Sequence, residues 1–170
     1  MKNFASLAVA ALLAGTASAQ YLEIGNRSLS EVESLAATYG LPSALFNPVS
    51  GVQAYRLTYP MPFGEDTISV SGAVFVPTDL AADCANPVHL YAHGTVFERE
   101  NTPSFLNYEG ELGFLMAGLG FTVLMPDYVG LGTDDQHLHP YVHAASEADA
   151  GVFMLDALFD ESGMSVGQHD

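Results

Sequence analysis

Three groups of side chains in this 170-residue chain can carry chemistry by their types and spacing. Gly163-Met164-Ser165-Val166-Gly167 matches G-x-S-x-G, the pattern that holds a serine hydroxyl on a strained strand-to-helix turn where a base can activate it. His93-Gly94-Thr95 follows the apolar run Val88-His89-Leu90-Tyr91-Ala92, so a buried strand over Val88–His93 is predicted to end in a glycine turn. Amide N–H groups at such a turn, that of Thr95 above all, can stabilise negative charge developing on a carbonyl oxygen. His137, His139 and His143 lie close together in HLHPYVH, with Asp134 and Asp135 nearby as oxygen donors, a composition that could hold a cation.

Each group has to be set in its context. A G-x-S-x-G serine works only where a buried strand enters the motif and a helix leaves it. Ser165 is instead preceded by an acidic amphipathic helix, and only Gln168, His169 and Asp170 follow Gly167, which leaves no room for a downstream acid and base. Ser165 is therefore not expected to be a nucleophile. Pro140 interrupts the histidine run, so hydrogen-bonded or exposed imidazoles are expected there rather than a metal site. His93 is expected to hydrogen-bond within its own loop, because no nucleophile stands beside it. Asp127, between Pro126 and Tyr128 at a strand end, is expected to cap the amides of its own loop. Tyr128 and Tyr141 are candidate walls of a ligand pocket.

The elements that must position these residues follow from pattern. Ser28–Tyr39 reads as a short amphipathic helix with a Ser30/Glu33 capping box and Gly40 and Pro42 as stop. Ala54–Tyr59 and Thr67–Val76 read as an antiparallel pair or part of a meander, punctuated by Pro60, Pro62 and Gly64. A polar connection, Thr78–Asn86, leads to the Val88–His93 strand and a long loop, Gly94–Leu106. A helix is predicted over Asn107–Ala117 with Asn107 as N-cap, then a strand, Phe121–Met125, whose unbroken apolar run indicates burial on both faces. Ser146 is expected to cap a final helix that buries Val152, Leu155, Ala157 and Phe159 and stops at Gly163. Antiparallel strands followed by β-α-β-α predict an α/β domain with a mixed sheet. The last helix has no strand to return to, so the sheet is expected to be truncated within these residues.

Composition narrows the partners. Hydrophobic residues make up 49% and charged residues 14%, which is globular rather than disordered. Twenty acidic against four basic residues give a net charge of −16, which argues against nucleic acid or an anionic membrane surface. Lys2, the apolar run Phe4–Ala14 and the small residues Ala17-Ser18-Ala19 form a secretory signal peptide over 1–19, too short to be a membrane span. The mature chain is expected to begin near Gln20 and to be secreted or periplasmic. Cys84 is the only cysteine, so no disulfide can form within these residues.

YAHGT, Pro103-Ser104-Phe105, Gly120–Gly132 (GFTVLMPDYVGLG) and His139–Ala150 (HPYVHAASEADA) resemble the exported α/β-hydrolases of the secretory lipase and esterase type. YRLTYP and ISVSGAVFVP resemble the opening strands of the same group. The resemblance runs from about Ala54 to the end of the last helix. It implies an α/β-hydrolase fold with a mostly parallel sheet flanked by helices, of which residues 20–170 would be the N-terminal part, ending before the nucleophile strand. It also implies a Ser–Asp–His triad, not present here, and an oxyanion hole formed partly by Gly94 and Thr95. The implied substrate is a small-molecule ester or lipid, hydrolysed through an acyl-enzyme without cofactor or metal. On this reading the chain alone is inactive. The alternative is a non-enzymatic exported α/β domain, binding a metal through His137, His139 and His143. Substrate preference and oligomeric state have no signature in these residues.

Overall fold

The computed structural model describes residues 18–46, 50–79 and 87–161. Cys84, Ser165, His169 and Asp170 lie outside the described residues, as do residues 1–17 of the expected signal peptide and Gly163, the expected helix stop.

Five strands form one sheet. They are β1 (Gln20–Ser28), β2 (Gly51–Phe63), β3 (Asp66–Thr78), β4 (Val88–Leu90) and β5 (Thr122–Pro126), in the order β1-β2-β3-β5-β4. The pairings β1/β2, β2/β3 and β3/β5 are antiparallel and β4/β5 is parallel, which makes the sheet mixed as expected. The β2/β3 hairpin is longer than its sequence pattern suggests, running in unbroken register from Gly51↔Thr78 to Phe63↔Asp66. Gly64 turns it with φ +65°, the positive angle a two-residue hairpin loop needs at its first position. Pro60 and Pro62 do not break β2. Pairing with β1 reaches only Thr58, so β2 has no neighbour among the described residues on that side at the prolines, and their missing N–H groups cost no ladder bond there.

Strand alternation divides the interior into two layers. Val123 and Met125 of β5, with Ala73 and Phe75 of β3, face a core closed by Val32 and Ala36 of helix α1 (Leu29–Thr38) and Phe114 and Ala117 of helix α2 (Tyr108–Gly118). Leu124 and Val74 face the other way, onto Ala150, Met154 and Leu158 of helix α3 (Ala144–Glu161). Helices therefore cover both faces, and the apolar run of β5 is explained by burial on two sides.

Several boundaries differ from expectation for local reasons. Gln20–Ser28 is an edge strand whose mostly polar, part-exposed residues give no clear period. The capping box of α1 forms between Ser28 and Glu31 rather than Ser30 and Glu33. The Ser28 N–H and hydroxyl donate to the Glu31 carboxylate at 2.8 and 2.6 Å, which holds that carboxyl below its ordinary range. Helix α3 starts at Ala144, so Ser146 lies inside its first turn and His143 takes the capping place. The Ser146 N–H donates to His143 Nδ1 at 3.3 Å, and its hydroxyl to the His143 carbonyl at 3.1 Å. The buried stripe of α3 is Ala150, Met154 and Leu158, while Val152 and Phe159 are exposed and Leu155 and Ala157 only partly buried. Strands β2 and β5 pack against the face that carries Ala150, Met154 and Leu158, not the face the sequence pattern indicates.

Strand β4 is shorter and less buried than predicted. Its ladder ends at Leu90, with one further bond from the Tyr91 N–H to the Leu124 carbonyl at 2.8 Å. His89 and Leu90 are exposed because β4 pairs with β5 on one side and with no described strand on the other.

Candidate active site

The chain leaves β4 through His93-Gly94-Thr95. His93 is buried, with Nδ1 2.7 Å from the Gly94 carbonyl and Nε2 3.4 Å from the Asp127 carbonyl, and its ring lies 4.4 Å from that of Tyr128. It is engaged within its loop, as expected. Gly94 and Thr95 are exposed, and among the described residues no acceptor takes the N–H of either. Both open onto a cavity of about 280 Å³ walled by Tyr128, His139, Tyr141 and Glu147. Two uncommitted amides at the mouth of a cavity can donate to an oxygen that becomes negative.

Asp127 holds this turn from beneath, in a way the sequence does not reveal. It is fully buried, but it does not cap its own loop. One carboxylate oxygen accepts from the Ser71 hydroxyl on β3 at 2.6 Å, and the other from the Ser104 N–H at 3.1 Å. The Ser71 hydroxyl oxygen also accepts from the Thr133 N–H at 3.0 Å. Arg56 completes the support, donating to the Ser104 carbonyl at 2.9 Å and stacking 4.6 Å over Phe105. Strand β3, the loop after β4 and the loop after β5 thus share one buried polar centre. A Cβ on Gly132, where φ is +60°, would overlap both the Asp127 carboxylate and the Ser71 hydroxyl. Ser71 could have been suspected as a polar residue inside an apolar strand. Ser104 could not, since its contribution is a backbone N–H.

Tyr128 and Tyr141 both line the cavity. Tyr128 has φ +72°, a left-handed backbone that turns its ring toward His93. Burial pushes its phenol up to about 12, with the charge of Glu147 adding to the rise. Tyr141 donates to the Val96 carbonyl at 3.0 Å, tying the HPY loop to the strand exit. Glu147, from the first turn of α3, is a cavity residue that sequence reasoning missed.

The three histidines are not brought together on one cation. His137 Nδ1 meets Asp134 at 2.8 Å, His139 Nδ1 the Val129 carbonyl at 2.8 Å, and His143 Nδ1 the Ser146 hydroxyl at 3.0 Å. Among the described residues no group of three or more His, Cys, Asp or Glu could hold a metal ion.

With this geometry in view, the fold has clear counterparts. The chain superposes on a putative hydrolase from Legionella pneumophila with a TM-score of 0.69 and 28% identity, over 82% of this chain and 38% of the other. It superposes on LipA, a rice cell wall degrading esterase from Xanthomonas oryzae, with a TM-score of 0.70 and 20% identity, over 85% and 37%. This is an α/β-hydrolase-type fold. The chain spans less than two fifths of the length of either neighbour. No family model and no curated protein matches the sequence. No helix among the described residues is long and apolar enough to cross a membrane.

Proposed function

We propose that this chain is the N-terminal part of a secreted serine hydrolase that cleaves carboxylic esters, lipids among them, with Gly94 and Thr95 supplying the oxyanion-hole turn. The observation that carries the proposal is the pair of uncommitted amides at the exit of β4, opening onto a cavity in a hydrolase-type fold. A serine alkoxide attacking an ester carbonyl places a negative charge on the carbonyl oxygen. Preorganised N–H donors lower that barrier, each being worth about 10²–10³ in rate. The alcohol then leaves with a proton from the base, and water releases the acid from the acyl-enzyme. On this reading the nucleophile, acid and base belong to sequence beyond residue 170, because the described chain runs toward Ser165 as helix α3 rather than as a strand. Export is supported by the three-part leader over residues 1–19, whose removal leaves β1 intact from Gln20.

Hydrolysis of p-nitrophenyl butyrate tests this. The 170-residue chain is expected to give no turnover, and a product extended through a continuing reading frame is expected to give turnover that a serine-hydrolase inhibitor abolishes. Activity in the 170-residue chain that disappears with Ser165→Ala would place the nucleophile at Ser165 and overturn the assignment.

A further inference from the structure

Gln20 stands at two boundaries at once. It is the first residue after the small-residue site Ala17-Ser18-Ala19 and the first residue of strand β1. We propose that Gln20 of the exported chain is a modification site, closing to pyroglutamate so that the sheet begins with a neutral lactam in place of an ammonium group. This rests on the export reading of the leader and is independent of the esterase reading.

The chemistry needs nothing beyond the residue itself. Cleavage between Ala19 and Gln20 frees the α-amine of Gln20. Such an amine has an ordinary pKa of about 7.7–8.0, so at neutral pH a fraction of it carries a nucleophilic lone pair. That nitrogen attacks the side-chain amide carbon Cδ, held nearby in the same residue, through a five-membered ring. The new N–Cδ bond forms, the bond from Cδ to Nε2 breaks, and Nε2 leaves as ammonia with a proton from the α-nitrogen. Nothing is oxidised or reduced.

The fold accepts the product where it stands. Gln20 pairs with Thr58 at the end of the β1/β2 ladder and is exposed, so ring closure displaces no buried contact. The lactam keeps one N–H and an ordinary backbone carbonyl, and ψ stays free to be extended. The register from Tyr21↔Leu57 to Ser28↔Gly51 is therefore kept.

The charge is what changes. Lys2 leaves with the leader, and the remaining residues of the lysine and arginine type are Arg27, Arg56 and Arg99. With no lysine after Gln20, the α-amine is the only primary amine between residues 20 and 170, and cyclisation removes it. Two of the three arginines are committed within the fold, Arg27 to Glu111 at 3.7 Å and Arg56 to the Ser104 carbonyl at 2.9 Å. An edge strand that starts at its own first residue is thereby closed to aminopeptidases, which need a free α-amine.

The test exports the 170-residue chain from a bacterial host through its own leader and keeps the product for several days at neutral pH. The N-terminal tryptic peptide, residues 20–27, is then read by mass, with and without prior treatment with the N-hydroxysuccinimide ester of acetate. The parent is expected to lack one ammonia and to take up no hydroxylamine-stable acetyl group. Gln20→Ala, which cannot cyclise, is expected to take up one. The readout is made on peptides, so it does not depend on how well the variant folds. A parent peptide that begins at Gln20 with its amine intact overturns the proposal and leaves the export reading standing. A product that retains its leader, or begins at another residue, overturns both.

Discussion

The β2/β3 hairpin and the segment from β4 to Thr95 are built by opposite means. The hairpin has thirteen paired positions and buries Leu57, Val70, Val74 and Phe75 completely. Strand β4 has three, all of its residues are part-exposed or exposed, and the turn beyond it has no ladder among the described residues. Apolar area removed from water holds the first region. The second is held by directional contacts: the Asp127 centre, the Tyr141 bond to Val96 and the left-handed backbone at Tyr128. Non-directional burial tolerates small errors of position, whereas aligned N–H groups do not, so a site that must point two amides at one oxygen is placed by hydrogen bonds.

Substitutions can break or sharpen this contrast. The largest effect is expected in the hairpin region, where Phe75→Ala should cost about 3–5 kcal/mol by removing a fully buried ring that meets Phe114 at 5.0 Å. A urea midpoint unchanged from the parent would break the assignment of stability to that layer. Next comes the junction. Gly132→Ala puts a side chain at a left-handed position and into the Asp127–Ser71 contact, an expected loss of about 2–4 kcal/mol read in the same way. A smaller effect is expected at Tyr128 and appears only in alkali. A phenol whose pKa is raised in the folded chain favours the protonated form. Its stabilising contribution is therefore complete below 10.0 and is lost as pH rises toward about 12. Unfolding measured between those limits should show a shallower decline in Tyr128→Phe than in the parent. The smallest change is expected for Thr95→Ala, within about 0.5 kcal/mol, because the side chain is exposed and the amide remains. A large loss there would show that the turn is a stability element after all.

Legibility in the sequence divides along the same line. The hairpin, β5 and α2 follow from apolar runs and turn residues, because burial on a period of two or on both faces leaves a direct imprint. The HGT turn and its placement at a strand exit were also legible. The edge strand β1 was not, since a half-exposed strand needs no regular alternation. The Asp127 centre was hidden for a different reason. Its partners Ser71 and Ser104 are 56 and 23 residues away, and no local pattern records a contact of that span. Tyr128, Leu106 and Val142 take positive φ without being glycine, a tertiary demand that residue type does not announce.

The strand order has a consequence for assembly in time. Because β5 lies between β3 and β4, β4 has no hydrogen-bonded neighbour among the described strands until residues 122–126 exist. A chain emerging from the ribosome can close β2 on β3 at once, while His93-Gly94-Thr95 waits for a strand made about thirty residues later. Pulse-labelled hydrogen exchange during refolding should find Leu57 and Val70 protected before Tyr91, whose N–H is bonded to Leu124. The two amides of the turn would then be among the last parts of this fold to be set in position.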